Sequence, residues 1–117
     1  MQIRETIQNT TAILTLEGNF LCQPENTVLK TKILHLINDG IRCVIIDLGE
    51  VTCINSDGLG VLISALSTLR KAGVELRLAN ATDLVDNLLV LTQLVKIFNK
   101  FDSVDKALPG GSASKSS

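Results

Sequence analysis

The chain has 117 residues, 45% of them hydrophobic, which suits one compact domain with a substantial core. Its 11 basic and 12 acidic residues give a formal net charge of -1, so no global basic field favours DNA, RNA or an anionic membrane. Its 3 aromatic residues are all phenylalanine and offer few platforms for stacking bases. We therefore predict a protein that does not bind nucleic acid.

The cysteines and the apolar runs indicate the compartment. Cys22, Cys43 and Cys53 form an odd count without CxxC spacing, and no signal-peptide pattern opens the chain. We interpret Cys43 and Cys53 as small buried hydrophobes, because no group that would activate a thiolate is visible. The apolar runs are shorter than the roughly 20 residues that cross a bilayer. These features predict a cytoplasmic protein in a reducing environment, without direct membrane insertion.

The first half of the chain predicts a hairpin, a helix and a buried strand. Apolar and β-branched residues over 3–7 and 12–17 flank the polar sequence Gln8-Asn9-Thr10, which predicts two strands joined by a turn. Apolar residues then recur at helical spacing over about 24–38. The continuous apolar run 43–48 is typical of a strand covered on both faces, so we expect it at the centre of the sheet.

The second half alternates helices and strands. A second helix with an apolar stripe ends at the basic and glycine residues 70–73. A strand is predicted over 74–79, a helix from 82 to about 91, a short strand near 97–98 and a helix from about 103 to 108. The order β-β-α-β-α-β-α-β-α predicts an α/β fold with a mostly parallel sheet and an antiparallel N-terminal edge.

Signatures of enzymes and nucleotide binding are weak. Gly58 and Gly60 form only a GxG, Ile63 stands where a dinucleotide fingerprint has its third glycine, and no P-loop lysine follows. His35 is the only histidine, so we interpret it as a surface or boundary residue. We predict no enzyme activity, no metal site and no cofactor. A catalytic carboxylate pair would have to come from Glu17, Asp47 and Glu50. Asp47 and Glu50 follow the buried run, at a strand end where solvated acids are common, so we do not interpret these residues as catalytic.

The segment 43–62, CVIIDLGEVTCINSDGLGVL, runs from the buried strand through a polar turn into the second helix. Asn55-Ser56-Asp57 stands where that helix begins, and each of these residue types is a favoured N-cap. Gly58 and Gly60 are expected to leave the first turn open, so that a phosphate or carboxylate meets free backbone N–H groups there. The sequence does not decide which of the three residues caps the helix.

The same segment resembles the STAS domain family, the small anti-sigma factor antagonists of bacterial partner switching. The resemblance rests on Ile46-Asp47-Leu48, on Val51 and on the run 54–62, INSDGLGVL. It extends over nearly the whole of residues 2–108.

This resemblance implies one STAS domain over 1–108. It leaves 109–117, PGGSASKSS, as a flexible C-terminal tail or a remnant of protein expression. It also implies a cytoplasmic protein without catalytic activity that binds an anti-sigma factor, usually a serine kinase as well, and so releases a sigma factor. In the family, phosphorylation of a Ser or Thr at the start of the second main helix breaks the complex, and a serine phosphatase restores it. The partner-binding residues that the resemblance implies are Asn55, Ser56, Asp57, Gly58, Leu59 and Gly60.

The chain departs from the family pattern Asp-Ser-Ser/Thr-Gly-Leu-Gly at two positions. Asn55 replaces the acid, and Asp57 replaces the phosphoacceptor. In one interpretation Asp57, arising by divergence or by an engineered substitution, is a partial mimic of phosphoserine, which carries about -1.5 to -2 charge. In the other, Ser56 has become the phosphoacceptor, since only a hydroxyl accepts phosphate.

The resemblance leaves a second function open. A STAS subunit of another assembly, such as the small cytoplasmic component of a lipid-transport ABC system, would share the fold but bind an ATPase. An enzyme or a nucleotide binder is the third class, and the missing motifs disfavour it.

Overall fold

A computed structural model describes residues 3–19, 21–22 and 28–109. The predicted beginning of the first helix, 24–27, and the end of the tail, 110–117, lie outside the described residues. The strands are β1 (Ile3–Gln8), β2 (Thr11–Gly18), β3 (Cys43–Val51), β4 (Glu75–Ala79) and β5 (Asn99–Phe101). The helices are α1 (Val28–Asn38), α2 (Ser56–Lys71), α3 (Asp83–Leu91) and α4 (Val104–Ala107), with a 3-10 helix at Val95–Ile97.

The sheet has the predicted mixed arrangement. β1 pairs antiparallel with β2, and the pairs β2–β3, β3–β4 and β4–β5 are parallel. The order in the sheet is β1-β2-β3-β4-β5, which places β3 at the centre. The predictions of an α/β fold, an antiparallel N-terminal edge and a central third strand are confirmed.

The β1–β2 hairpin reverses direction through Asn9 and Thr10, since Gln8 and Thr11 are the last paired residues. Asn9 has a φ of 56°, in the left-handed region. Two-residue hairpin turns require this region, and Asn tolerates it better than most residues. The polar break in the sequence therefore marks a real turn.

The first four residues of β3, 43–46, are buried on both faces, which explains why this part of the strand is apolar throughout. Val44, Ile46 and Leu48 belong to the main core together with α1, α2 and α3, whereas Cys43 and Ile45 pack in a smaller cluster with α4. Side chains of a strand alternate between its two faces, so a strand covered on both sides needs apolar residues at every position. The sheet is thus a central layer between three helices and one short helix.

The apolar stripe of α2 packs on the sheet. The helix ends where the sequence predicts. The helix ends at Lys71, and Gly73 then takes a φ of 75°, the left-handed conformation common after a helix C-terminus. Its buried residues recur every three or four positions: Gly58, Leu59, Leu62, Ala65, Leu66 and Leu69.

The last predicted strand, expected near 97–98, is present but begins two residues later. Ile97 ends the 3-10 helix, and the strand that pairs with β4 begins only at Asn99. Phe98 is extended and buried, which produces a strand-like apolar signal just before the true strand. β5 is defined by its parallel pairing with β4, and its own residues are exposed or half-buried.

Arg77 fastens α4 to the opposite face of the sheet. Its Nη1 donates a hydrogen bond of 2.6 Å to the carbonyl oxygen of Ala107, and its guanidinium lies 5.3 Å from the centre of the Phe101 ring. Ala107 is fully buried beneath this arm. Arg77 therefore helps to pack α4 on the sheet. The alternation of apolar and charged residues in β4 does not predict this role.

Cys43 should be an unreactive thiol. Burial raises its pKa from 9.0 to about 11, so at pH 8 roughly one thiol in a thousand is ionised instead of about one in ten. We expect iodoacetamide at pH 8 to leave Cys43 unmodified in the folded protein and to modify it fully in guanidinium chloride, as peptide mass spectrometry will show. Equal rates in both states would contradict the burial.

The same shift gives a pH dependence with a definite sign. The unfolded chain loses the Cys43 proton first, so this contribution to the free energy of unfolding is complete below about pH 9 and is lost as the pH rises to about 11. Denaturation curves of the unaltered chain and of Cys43→Ala should therefore differ less at pH 11 than at pH 8. A constant difference would contradict the raised pKa.

Candidate functional site

Asn55 is the N-cap of α2. Its backbone is extended, and its Oδ1 accepts a hydrogen bond of 2.9 Å from the N–H of Gly58. The amide thereby pairs one of the N–H groups that a helix start leaves free. This contact decides among the three candidate caps, because Ser56 and Asp57 are already the first two residues of the helix.

The side chains of Ser56 and Asp57 are exposed on the first turn of α2. Within the described segments neither makes a hydrogen bond or an ion pair with another residue. A negative charge on an exposed first turn gains about 0.3–1 kcal/mol from the helix dipole. The helix start therefore accommodates either the Asp57 carboxylate or a phosphate on Ser56, and the fold itself does not use either side chain.

Gly58 lies against the backbone of Leu21. A Cβ at position 58 would stand 1.9 Å from the Leu21 carbonyl oxygen and 2.9 Å from the Leu21 Cβ. Real Cβ atoms do not approach other atoms so closely, so only glycine fits between the helix and this segment. Leu59, the next residue, is 6% exposed and belongs to the main core.

The six predicted partner-binding residues thus divide into two groups. Gly58 and Leu59 are buried and support the surface from inside. Binding of a partner through this turn stays a prediction, and the structure limits direct contact to the exposed members of the set: Asn55, Ser56, Asp57 and Gly60.

The expectation that both glycines open the first turn to an anion is wrong for Gly58. Its N–H is already bonded to Asn55, and its Cα side is filled by Leu21. Gly60 is exposed, and no atom lies within 4 Å of its Cβ position. The open part of the turn is therefore its outer face.

An apolar groove of about 230 Å³ runs between α1 and α2 beside this turn. Leu29 and Ile33 of α1 and Val61 of α2 line it, together with the exposed charged residues Lys30 and Asp57. The sequence does not reveal the groove, because it exists only once the two helices pack together. Its one sequence signal is Val61, an apolar residue beside the main stripe of α2.

Asp47 has a structural role in the middle of β3, opposite the last residue of β4. Its Oδ1 accepts hydrogen bonds of 3.0 Å from the N–H of Gly49 and 3.0 Å from the Nδ2 of Asn80. Asn80 has a φ of 58° in the loop after β4. The Asp47 carboxylate therefore connects β3 to the loop after β4 and is not a solvated acid, contrary to the interpretation from the sequence.

The remaining candidates for catalysis have ordinary surface roles. Glu17 and Glu50 both pair with Arg4 of β1, and this contact raises the pKa of the guanidinium, mainly through Glu17. His35 is exposed on α1, as predicted. In the described segments no group of three His, Cys, Asp or Glu residues is placed to hold a metal ion.

The interpretation of Cys53 as a buried hydrophobe is wrong. Cys53 is half-buried and forms a disulfide with Cys22, 31 positions earlier, with the two Cα atoms 5.8 Å apart. Cys43 is buried and free, as predicted. An odd cysteine count without CxxC spacing gives no sign of a bridge that depends on two loops meeting in space.

These features define a small α/β module whose exposed feature is a capped helix start beside an apolar groove. A family model for the STAS domain matches residues 2–107. The chain belongs to the STAS domain family, as its resemblance to that family implied. No helix within the described ranges has both the length and the apolar character to span a membrane.

Solved structures with the same fold include several anti-sigma factor antagonists. A candidate anti-sigma factor antagonist from Thermotoga maritima is 25% identical, with a TM-score of 0.77 over 90% of both chains. SpoIIAA, a Bacillus cell fate determinant in its phosphorylated form, is 15% identical, with a TM-score of 0.63 over 86% of this chain and 91% of that one. A sulfate transporter family protein from Wolinella succinogenes is 18% identical, with a TM-score of 0.70 over 88% of this chain and 85% of that one. The last two comparisons show the fold alone.

Gly58→Ala and Gly60→Ala should change stability in opposite directions. The new methyl of Gly58→Ala meets the Leu21 backbone and should cost about 1–3 kcal/mol of unfolding free energy. Gly60→Ala fills open space inside a helix and should gain about 0.5–1 kcal/mol. Chemical denaturation measures both changes, and equal effects would contradict the close approach of Leu21.

Proposed function

We propose that this chain is a cytoplasmic anti-sigma factor antagonist of a bacterial partner-switching pathway. It is a STAS domain without catalytic activity that binds an anti-sigma factor with serine kinase activity. The observation that carries the proposal is the start of α2, where Asn55 caps the helix and leaves Ser56 and Asp57 exposed. Membership of the STAS family and the anti-sigma factor antagonists among its structural relatives support this class of partner.

The proposed binding surface combines an apolar groove with charged residues. Leu29, Ile33 and Val61 offer apolar area for a side chain of the partner, since the centre of an interface is typically apolar and its rim polar. Lys30 and Asp57 carry opposite charges beside the groove. Complementary charges on the partner would set its orientation and its association rate.

Asp57 governs the charge of this surface. Because its side chain is exposed and has no partner in the described segments, its charge acts on an approaching protein and not on its own fold. Binding would remove water from the carboxylate, which is costly unless the partner supplies a cation or hydrogen-bond donors. Asp57 therefore weakens binding to the anti-sigma factor, as a partial equivalent of phosphoserine with one charge on a shorter arm.

Phosphorylation of Ser56 is the second way in which the charge of this surface could control binding. The Ser56 hydroxyl is exposed next to Asp57, and the cap does not use it. A phosphate on Ser56 would add to the existing charge of Asp57 and increase the repulsion. In this form the chain remains switchable by a kinase and by a serine phosphatase.

Asp57→Ser should create a phosphorylation site. With the cognate kinase and ATP, intact-protein mass spectrometry should find one phosphate more on Asp57→Ser than on the unaltered chain, which carries either none or one at Ser56. Ser56→Ala separates these two cases. Asp83→Ser is the matched control, since Asp83 is also an exposed acid in the first turn of a helix, α3. A phosphate on the unaltered chain outside residues 52–57 would overturn the proposal.

Asp57→Ser should also bind the anti-sigma factor more tightly. Removing a carboxylate that the interface must desolvate should lower Kd by about 5- to 20-fold, or about 1–2 kcal/mol. Isothermal titration calorimetry without ATP measures this difference. Asp83→Ser should leave Kd unchanged, because Asp83 does not line the groove. Unchanged or weaker binding by Asp57→Ser would contradict the hypothesis that Asp57 acts as a partial mimic of phosphoserine.

A second candidate function is that of a STAS subunit in a transport assembly, such as a lipid-transport ABC system. The structural likeness to a sulfate transporter family protein favours it. Co-purification from native cells distinguishes the two functions, because the first recovers a kinase-like anti-sigma factor and the second a transporter or its ATPase.

A further inference from the structure

We propose that Cys22 and Cys53 form a thiol–disulfide switch that controls the start of α2. The conformational effect stands on the structure of the chain alone. Its consequence for binding rests on the proposed function, since it assumes that the anti-sigma factor contacts the turn at Asn55–Gly60.

The disulfide joins two segments that run side by side toward the site. The N–H of Thr52 donates a hydrogen bond of 2.9 Å to the carbonyl oxygen of Gly18, and Leu21 forms a parallel bridge with Ile54. The Cys22–Cys53 bond lies at the same end of this pair of segments. It therefore closes a short extension of the β2–β3 pairing beyond the end of the sheet.

Each half of the disulfide is adjacent to a residue that fixes the helix start. Cys22 follows Leu21, which is fully buried and whose carbonyl oxygen lies against Gly58. Cys53 stands two residues before Asn55, whose side chain caps Gly58. Both partners of the cap bond are therefore next to a segment that the disulfide joins: Asn55 follows Cys53 by two residues, and Gly58 packs on the residue before Cys22.

Reduction would remove the covalent connection and leave only noncovalent contacts to hold Leu21 against the helix. The disulfide joins residues 31 positions apart, and a crosslink of this kind limits the freedom of the opened chain, so its loss favours open states over the folded one. Local opening should then become more frequent at the cap and the first turn of α2. The central strand β3, whose first four residues are buried on both faces, should not respond.

The chemistry is ordinary thiol–disulfide exchange. A thiolate of a dithiol reductant attacks one sulfur of the pair and displaces the other as a thiolate, which takes up a proton. The second thiol of the reductant then resolves the mixed disulfide, so that two electrons and two protons reach the cysteines and the reductant becomes a disulfide. Oxidised glutathione reverses the reaction and leaves as two molecules of reduced glutathione.

The surroundings of the three cysteines suit this role. Cys22 and Cys53 are half-buried, so a reductant reaches them with limited opening. Cys43 is buried in the cluster beneath α4, and burial raises its pKa, which keeps it out of the exchange. Disulfides of cytosolic proteins are usually transient and serve catalysis or redox sensing, which fits the proposed cytoplasmic function.

Hydrogen exchange of the full chain tests the conformational effect. Mass spectrometry of peptides covering residues 52–60 should show exchange at least about 10-fold faster in dithiothreitol than after oxidised glutathione, with β3 unchanged. The double variant Cys22→Ser and Cys53→Ser should match the reduced chain under both conditions. Cys43→Ala is the matched control and should keep the full redox response.

Two results would overturn the switch. One is an exchange difference under about 2-fold in 52–60 between the oxidised and reduced unaltered chain, a comparison that needs no variant. The other is alkylation of three cysteines per chain after treatment with oxidised glutathione and unfolding, where we expect only Cys43 to react.

Affinity for the anti-sigma factor then tests the functional consequence. The reduced chain should bind at least about 5-fold more weakly, because binding must then order the helix start. Equal affinity of the two redox states would overturn redox control of binding. Absence of binding in both states would instead contradict the proposed function, and the hydrogen-exchange result would still decide whether the disulfide controls the helix start.

Discussion

The carbonyl oxygen of Leu21 approaches the first turn of α2 so closely that residue 58 has no room for a side chain. That approach places the segment after β2 under the helix start, on the side of the turn that Gly58 faces. With Gly58 and Leu59 held inside, Ser56, Asp57 and Gly60 form the outer face of the turn. The shape of the exposed surface is therefore determined from the inside, by a contact between the backbone after β2 and the first turn of α2.

Most of the fold can be predicted from the sequence because each major element carries its own periodic signal. The central strand 43–48 and the stripe of α2 are examples, since the pattern of each matches its burial on one or two faces. β5 escapes prediction because its 3 residues are defined by their pairing with β4, while the apolar signal comes from Phe98 just before them. A strand so short has no period of its own.

The sequence predicts where the candidate site lies but not which residue of the turn has which role. Asn55-Ser56-Asp57 marks the helix start correctly, yet three residues with the same capping preference are distinguished only by the bond from Asn55 to Gly58. The inward orientation of Gly58 and the Cys22–Cys53 bridge depend on two loops that meet after folding. In this turn the capping bond is made by the neutral side chain of Asn55, and the only acid, Asp57, is exposed two residues later.

The two edges of the sheet also shape how this domain meets other proteins. β1 is exposed along most of its length, and its Arg4 and Glu5 are held in ion pairs with acids of the sheet and with Lys32 of α1. β5 is short, and its Lys100 pairs with Asp86. Charged or short edge strands resist the addition of a further strand from another chain. Such edges disfavour aggregation by addition of strands to either side of the sheet.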